Sequence, residues 1–554
     1  MENKSHVSRI CGRNNLFSCA SVLQLYEPWN GLYTYSFQFS VCPSNLHIER
    51  LIENENFPSV RRQRCWPTLE WTLFIICIRR RCGQGGIAQR SLLSCESFHE
   101  FGVDRHVLFC ESDDSGKTRN WTRKGWNLIV EILQGLLLTF MLLVTAYLVR
   151  HYIFTLTVLR NVGKRIKPNS VGVTAYLPTV SVMIPAHNEE MVIGRILQRM
   201  SELTYPCDKT QIVVIDDASM DKTGEIVQRF SETHDHVEVL HRSEHEGGRG
   251  KASALNAGLK LAKGEIVLCF DADYYPQRDI VEQLVKEFSD PLVGAVQGRV
   301  IVLNEPHNVV TRLVALERIG GYRIDQQARD SLGLITQFGG TVGGFRKSLL
   351  ESLGGWDRSI LAEDTDLTFR VYLAGFKVRY VNEAECYEEA VESWQAYRKQ
   401  RYRWARGHMQ CAFKHLVKVF KSKHLGFKQK IDALLLLNVY FMPVVVLFSW
   451  IISVPLLFLR PPQWLGIAWA VMPLSVYSFV GNFAPFFEVE IGAYLDGRTR
   501  AHWLISLLFL TFLYNIPICT KALVDVLVSR ITRRNRVRWD KTVHSGDGNS
   551  YIMN

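Results

Sequence analysis

From Leu128 to Val149 the chain reads LIVEILQGLLLTFMLLVTAYLV, an apolar stretch broken only by Glu131 and Gln134 near its outer end. A helix needs about 20 such residues to cross a bilayer, so this run predicts a transmembrane segment at 128–149. Three further apolar runs follow at 434–458, 464–485 and 502–524. Between the first run and these lies a stretch of about 250 residues with ordinary charge density, the size of a folded domain. The pattern predicts a globular insert held between membrane helices, with 413–433 as an interfacial helical segment leading into them.

Charge supports that arrangement. The formal net charge of +11 gathers at the flanks of the apolar runs. Arg150, Arg160, Lys164, Arg165 and Lys167 follow the first run, and Arg530, Arg533, Arg534, Arg536, Arg538 and Lys541 follow the last. Cationic flanks at both ends put the insert and the basic tail, 530–554, on the cytosolic side. Three spans after the insert would carry that tail across, so either one run is interfacial or re-entrant, or a further break exists. No aromatic-interleaved basic patch of the nucleic-acid kind stands out, so a nucleic-acid partner is not expected.

Residues 1–120 carry no sustained helical or strand period and no motif, and are expected to be an extension without an assignable role. Eight of the thirteen cysteines lie there, in no CxxC spacing, which argues against a thiolate zinc site.

The insert alternates short β-rich runs with amphipathic stretches: TVSVMIP at 179–185, QIVVIDD at 211–217, VEVLHR at 237–242 and EIVLCFDAD at 265–273. Such alternation predicts βαβ units and a mainly parallel sheet, with ligands at the carboxyl ends of the strands. Two strands end in acidic pairs there, Asp216 with Asp217 and Asp271 with Asp273. A DxD set at a strand end suits Mg²⁺ or Mn²⁺ shared with the oxygens of a nucleoside diphosphate. On a loop it would be an ordinary solvated turn. Ser219 or Asp221 could cap the helix that follows, alongside a ligand role for Asp217.

Between these pairs, EHEGGRGKASALNAGL offers glycines for close backbone approach, with Arg249 or Lys251 able to meet phosphate. Glu363 and Asp364 open a helical stretch, where a carboxylate can cap or act as a general base. Gln400, Arg403 and Trp404 fall at i, i+3 and i+4 on one helix face, so an amide, a guanidinium and an indole can line one cavity. A basic-aromatic helix of this kind also suits a membrane interface.

Taken in order, the IPAHNEE opening, the D and DxD pairs, the ED motif and QxxRW resemble the family 2 glycosyltransferases. The closest likeness is to the processive membrane branch that includes cellulose, mannan, hyaluronan and poly-N-acetylglucosamine synthases. The resemblance covers 178–412 and implies a GT-A domain, with its Rossmann-like sheet, inserted between membrane helices. It implies that Glu189 and Asp217 approach the nucleoside, that Lys251, Gln400 and Arg403 serve the donor, and that Asp271 and Asp273 hold the diphosphate and metal. Asp364 is then the base, and Trp404 stacks on the acceptor sugar. Phe338, Gly339, Gly340 and Thr341, the FGGT segment, stand where the family has a loop at the acceptor terminus.

The activity so implied is inverting transfer of a sugar from a UDP- or GDP-sugar to a growing β-linked polysaccharide. Single transfer to a lipid acceptor would use the same donor site and base. A non-catalytic nucleotide-sugar sensor predicts loss of Asp273 or Asp364, and both are present. The resemblance places the protein in the plasma (inner) membrane with its catalytic domain cytosolic. Membrane lipid is an expected partner; regulation of the bacterial cellulose kind would need another chain, since no cyclic-di-GMP-binding domain is recognisable after the last run, and four candidate spans, fewer than in cellulose synthases, point to accessory export subunits.

Overall fold

The computed structural model describes residues 116–162, 176–459 and 483–532, together with three short strands nearer the N-terminus. It divides into two units, Met1–Glu111 and Ser112–Asn554. In the first, β1 (Gln24–Leu25), β2 (Leu32–Phe39) and β3 (Trp71–Ile78) form an antiparallel sheet in the order β1-β2-β3. The apolar run at 71–78, too short to span a membrane, is the strand β3.

The second unit opens with α1 (Gly116–Asn161), which reaches beyond both predicted ends of its apolar run. At 1.5 Å per residue it is about 69 Å long, more than twice the hydrocarbon thickness of a bilayer. Its last turns therefore serve as a post for the insert: Phe154 and Val158 are buried against Ile324 and Ala328.

The insert is an eight-stranded mixed sheet. Its strands are β4 (Val180–Ala186), β5 (Thr210–Asp216), β6 (Val237–His241), β7 (Ile266–Cys269), β8 (Tyr275–Pro276), β9 (Val293–Val302), β10 (Gly343–Arg346) and β11 (Lys377–Glu388). They lie in the order β6-β5-β4-β7-β10-β9-β11-β8. Four neighbouring pairs are parallel, as the βαβ alternation predicts; β10 runs antiparallel to both its neighbours and β8 to β11. Glycine permits that insertion, since a Cβ on Gly344 would stand 1.9 Å from the Val267 carbonyl oxygen and one on Gly343 2.2 Å from that of Val296.

Strands buried on both faces read as continuous apolar runs. In β4, Val182 and Ile184 enter one core while Met183 enters the other. The first core takes the stripe Ile193, Ile196, Leu197 and Met200 of α2 (Ile193–Ser201), at helical spacing. It also takes Val227 of α3 (Thr223–Ser231) and Ile280 of α5 (Ile280–Val285). The second core is closed by α4 (Lys251–Leu259), α8 (Lys347–Ser352) and α9 (Glu363–Leu373).

Between β9 and β10 the chain runs through α6 (Val309–Arg318), a π-helical stretch Ile319–Gln326, and α7 (Gln327–Leu332). After β11 come α10 (Trp394–Lys421), α11 (Phe427–Leu437), α12 (Met442–Leu459), α13 (483–495) and α14 (Leu508–Thr532). The predicted interfacial segment 413–433 is thus the end of one helix and the start of another. The run at 434–458 is broken at Asn438, with Leu436 and Leu437 buried in the catalytic core.

Among the described residues three segments are long and apolar enough to cross a membrane: Gly125–Asn161, Val439–Leu456 and Trp503–Thr532. Most of the predicted run 464–485, and the tail beyond Thr532, lie outside the described residues.

Candidate active site

At the carboxyl ends of β4, β5 and β7 a cleft of about 460 Å³ runs from His187 and Asp217 to Tyr440, in the 3-10 turn just before α12. The strands deliver carboxylates to it because each ends where its βα turn begins, and the backbone flares open there.

The two acidic pairs divide their labour. Asp216 turns away from the cleft: its carboxylate accepts from the Ser219 N–H at 3.1 Å and meets His241 Nδ1 at 2.9 Å. Asp221 accepts from the Thr223 N–H at 3.0 Å, but the N-cap of the helix that follows is Lys222, so neither Ser219 nor Asp221 occupies the capping position. Asp217 lines the cleft, paired with Arg242 and accepting the Gly248 N–H at 3.1 Å. Burial pushes its carboxyl up, against the pull of the Arg242 guanidinium. Glu189 stands nearby, its N–H donating to Thr223 Oγ1 at 2.7 Å.

Of the two candidate cations in the glycine-rich loop only Lys251 lines the cleft, where it pairs with Asp271. Arg249 instead donates to the His245 carbonyl oxygen at 2.6 Å. Burial works against the Lys251 charge, but Asp271 and Glu363 more than offset it and hold the proton firmly. Asp273 is 8% exposed, and burial, with Asp271 and Glu388 adding to it, drives its carboxyl well above the usual range. A carboxyl so placed calls for a cation.

Among the described residues no three His, Cys, Asp or Glu side chains converge as a closed metal cage. The donor set is the oxygen pair Asp271 and Asp273, and hard cations that take one or two carboxylates complete their shell with phosphate and water. These two residues fit such a shared cation.

Asp364 also lines the cleft, from the first turn of α9, and accepts the Thr365 N–H at 2.6 Å. Burial raises its proton affinity. Its neighbour Glu363 is pushed up to about 7 by burial and by the Asp364 charge. Gly340, at φ +89°, lies so near that a Cβ there would be 3.3 Å from Asp364 Oδ2. Gly339 donates its N–H to Gln297 Oε1 at 2.6 Å, and Thr341 Oγ1 accepts the Asp271 N–H at 3.0 Å. Phe338 alone of the FGGT segment stays out of the cleft: its ring is buried in the core, edge-on to Phe345 at 4.7 Å.

Gln400, Arg403 and Trp404 all line the cleft from α10, as their shared helix face predicts. The indole of Trp404 is gripped by Arg401 and Arg318, whose guanidinium carbons stand 4.5 and 5.0 Å from the ring centre.

Several cleft groups escaped the sequence reading. Glu388, at the end of β11, accepts from Tyr274 Oη at 2.6 Å and from Arg318 Nη2 at 3.1 Å. Glu389 pairs with Arg195 at 2.7 Å, and Arg195 also donates to the Asp273 carbonyl oxygen at 2.7 Å. The glutamate pair in CYEEA follows a β-rich run just as the aspartate pairs do, and could have been found by the same rule. Tyr322 and Gln326 reach the cleft from the π-helical stretch, for which the sequence carries no signal.

This fold and this cleft are those of a glycosyltransferase of the GT-A type. A family model described as "Glycosyltransferase like family 2" matches residues 178–407, and the chain belongs to that family as a glycosyltransferase. "Probable glycosyltransferase YdaM" of Bacillus subtilis is 41% identical over 248 residues, covering 45% of this chain and 59% of that protein. "Beta-monoglucosyldiacylglycerol synthase" of Trichormus variabilis is 32% identical over 379 residues, covering 67% of this chain and 78% of that protein. "Poly-beta-1,6-N-acetyl-D-glucosamine synthase" of Staphylococcus epidermidis is 25% identical over 335 residues, covering 60% and 78%.

Proposed function

We propose that this chain is a membrane-embedded inverting glycosyltransferase that moves a hexosyl group from a UDP- or GDP-sugar to a hydroxyl of a growing β-linked polysaccharide. One observation carries the reading. A single cleft is lined by the DxD carboxylates, Lys251, Asp364, Gly339, Gly340, Thr341 and Trp404, with Lys251 paired to Asp271 and Thr341 bonded to the Asp271 N–H. A base between donor and acceptor groups suits direct displacement, in which Asp364 takes the proton of the attacking hydroxyl as the anomeric bond to diphosphate breaks. The α-linked donor then yields a β-bond.

Asp217 and Glu189 serve the nucleoside, and Lys251, Gln400 and Arg403 serve the diphosphate, where a guanidinium can pair with two oxygens. Mg²⁺ or Mn²⁺ at Asp271 and Asp273 would supply charge stabilisation of the leaving diphosphate. The acceptor end is next to Tyr440 and Arg150, which belong to or adjoin candidate spans. This favours an acceptor held near the membrane, with the catalytic domain on the cytosolic side of the plasma membrane.

A second reading, single transfer to a lipid hydroxyl, is favoured by the 32% identity to a glucosyldiacylglycerol synthase over two-thirds of this chain. The two are separated by incubating membranes containing the protein with labelled UDP- and GDP-sugars and Mg²⁺ or Mn²⁺, beside Asp364→Asn. A large product made only by the intact protein supports the polysaccharide; label confined to extractable lipid supports the second reading and ends the first.

A further inference from the structure

Gln400, Trp404 and His408 follow one another at four-residue intervals on α10, and all three line the cleft. His408 is used by none of the steps above. It sits at the membrane end, its ring 4.7 Å from that of Tyr440. One ring nitrogen is engaged: Nε2 lies 3.3 Å from Thr365 Oγ1, the hydroxyl to which Gln337 Nε2 donates at 2.7 Å. The other, Nδ1, has no hydrogen-bond partner among the described residues. On the far side of the indole, Gln400 Oε1 is likewise unpartnered.

Buried polar atoms are seldom left unpaired, because each forgoes water without a replacement. Here two such atoms flank an indole, one a turn before it and one a turn after. Eight residues of helix put Gln400 and His408 about 12 Å apart, so the two atoms serve different groups, and a hydroxyl seated within one turn of Trp404 can reach only His408. Burial holds the His408 imidazole neutral at physiological pH, its protonation pushed down to about 4. A neutral imidazole keeps one N–H and one bare nitrogen, so Nδ1 can serve a hydroxyl as donor or as acceptor.

We propose that His408 Nδ1 hydrogen-bonds a hydroxyl of the acceptor, making His408 a specificity residue for a hydroxyl-bearing sugar or polyol seated between Trp404 and Tyr440. The inference rests on the transfer reading above and adds to it a residue outside all four motifs. A positioning role through Nε2, Thr365 and Asp364 is the competing account.

The two nitrogens can be told apart by amide replacement. His408→Asn keeps a polar atom near the place of Nδ1, whereas His408→Gln keeps one near that of Nε2. Acceptor and donor KM and kcat are measured for both, with nucleoside diphosphate binding as the check that each variant is folded. The expected result is that His408→Gln raises acceptor KM about fivefold, the worth of one neutral hydrogen bond, and that His408→Asn stays within about twofold of the parent. Donor KM does not move in either. A loss of kcat in His408→Asn that His408→Gln restores overturns the proposal in favour of positioning. Equal effects of the two on acceptor KM, or none, overturn it as well. If His408→Gln does not fold, His408→Met, of similar length and without a donor, carries the same expectation. Transfer of labelled sugar by the parent protein is recorded alongside: its absence from every nucleotide sugar would count against the transfer reading and not against His408.

Discussion

The hydroxyl of Thr341 accepts the backbone N–H of Asp271 at 3.0 Å, so the loop assigned to the acceptor and the strand end assigned to the metal are fastened to each other. Thr341 is 4% exposed. Replacing it by valine leaves that N–H unpaired beside the DxD carboxylates, at a cost of about 1–3 kcal/mol. Thr341→Val is expected to lower kcat and raise donor KM together, while Thr341→Ser keeps both. Steady-state kinetics of the pair checks this, and indifference to valine would show that the fastening has no part in turnover.

Asp364 is the proposed base, and its removal should touch chemistry more than binding. Asp364→Asn is expected to lower kcat by about 10²–10⁴ with nucleoside diphosphate affinity retained. Calorimetric binding beside a transfer assay tests the split. Full transfer by the variant would remove Asp364 from the mechanism.

The pH dependence follows from the buried pair. Glu363 is raised to about 7 and Asp364 is raised above its usual range, so both hold protons at acid pH. Transfer needs an ionised base, so kcat/KM should fall as Asp364 takes up a proton on acidification, with a limb near 7 where its neighbour Glu363 titrates. Glu363→Gln should take away the limb near 7. The stability sign is opposite: a carboxyl whose folded pKa is raised contributes fully below its unfolded value, about 4.3. That contribution fades as pH rises toward 7, because the charge must then be carried in a buried site. Thermal unfolding of Glu363→Gln should therefore vary less between pH 5 and 7 than that of the parent.

Arg242 and Asp217 form an ion pair with both side chains under 10% exposed. Removing the cation strands a buried carboxylate, worth about 3 kcal/mol in such pairs. Arg242→Met is expected to lower the midpoint of unfolding in detergent and to raise donor KM; Arg242→Lys should recover part of each. An unchanged midpoint in the methionine variant would mean that Asp217 takes up a proton at little cost.

Chelation addresses the cation. Transfer should stop in excess EDTA and return on adding Mg²⁺ or Mn²⁺, with Asp273→Asn needing more metal than the parent for half-maximal rate. Undiminished transfer in chelator would place the diphosphate on Lys251 and Arg403 alone.

Much of this was legible in the chain. Strands β4, β5 and β7 were readable because continuous apolar runs bounded by turn residues mark strands buried on both faces, and the acidic pairs at their ends followed directly. Gln400, Arg403 and Trp404 were readable because helical spacing fixes a common face. The antiparallel insertion of β10 was not. GGFR has no strand pattern, and it is a strand only because β7 and β9 leave a gap that glycine can enter.

What the sequence determined by itself is therefore the local and periodic content: a helix long and apolar enough to cross a membrane, a βαβ insert, carboxylates at strand ends, and a basic-aromatic helix face. Tertiary structure alone decided which of each pair does the work. Asp217 faces the cleft while Asp216 is spent on Ser219 and His241; Lys251 enters while Arg249 does not; Phe338 is taken into the core. It also set Glu388 and Arg318 beside Trp404 from segments far apart in the chain. The physical reason is that spacing fixes which side chains share an element's face, whereas desolvation and pairing depend on what other elements bring against that face.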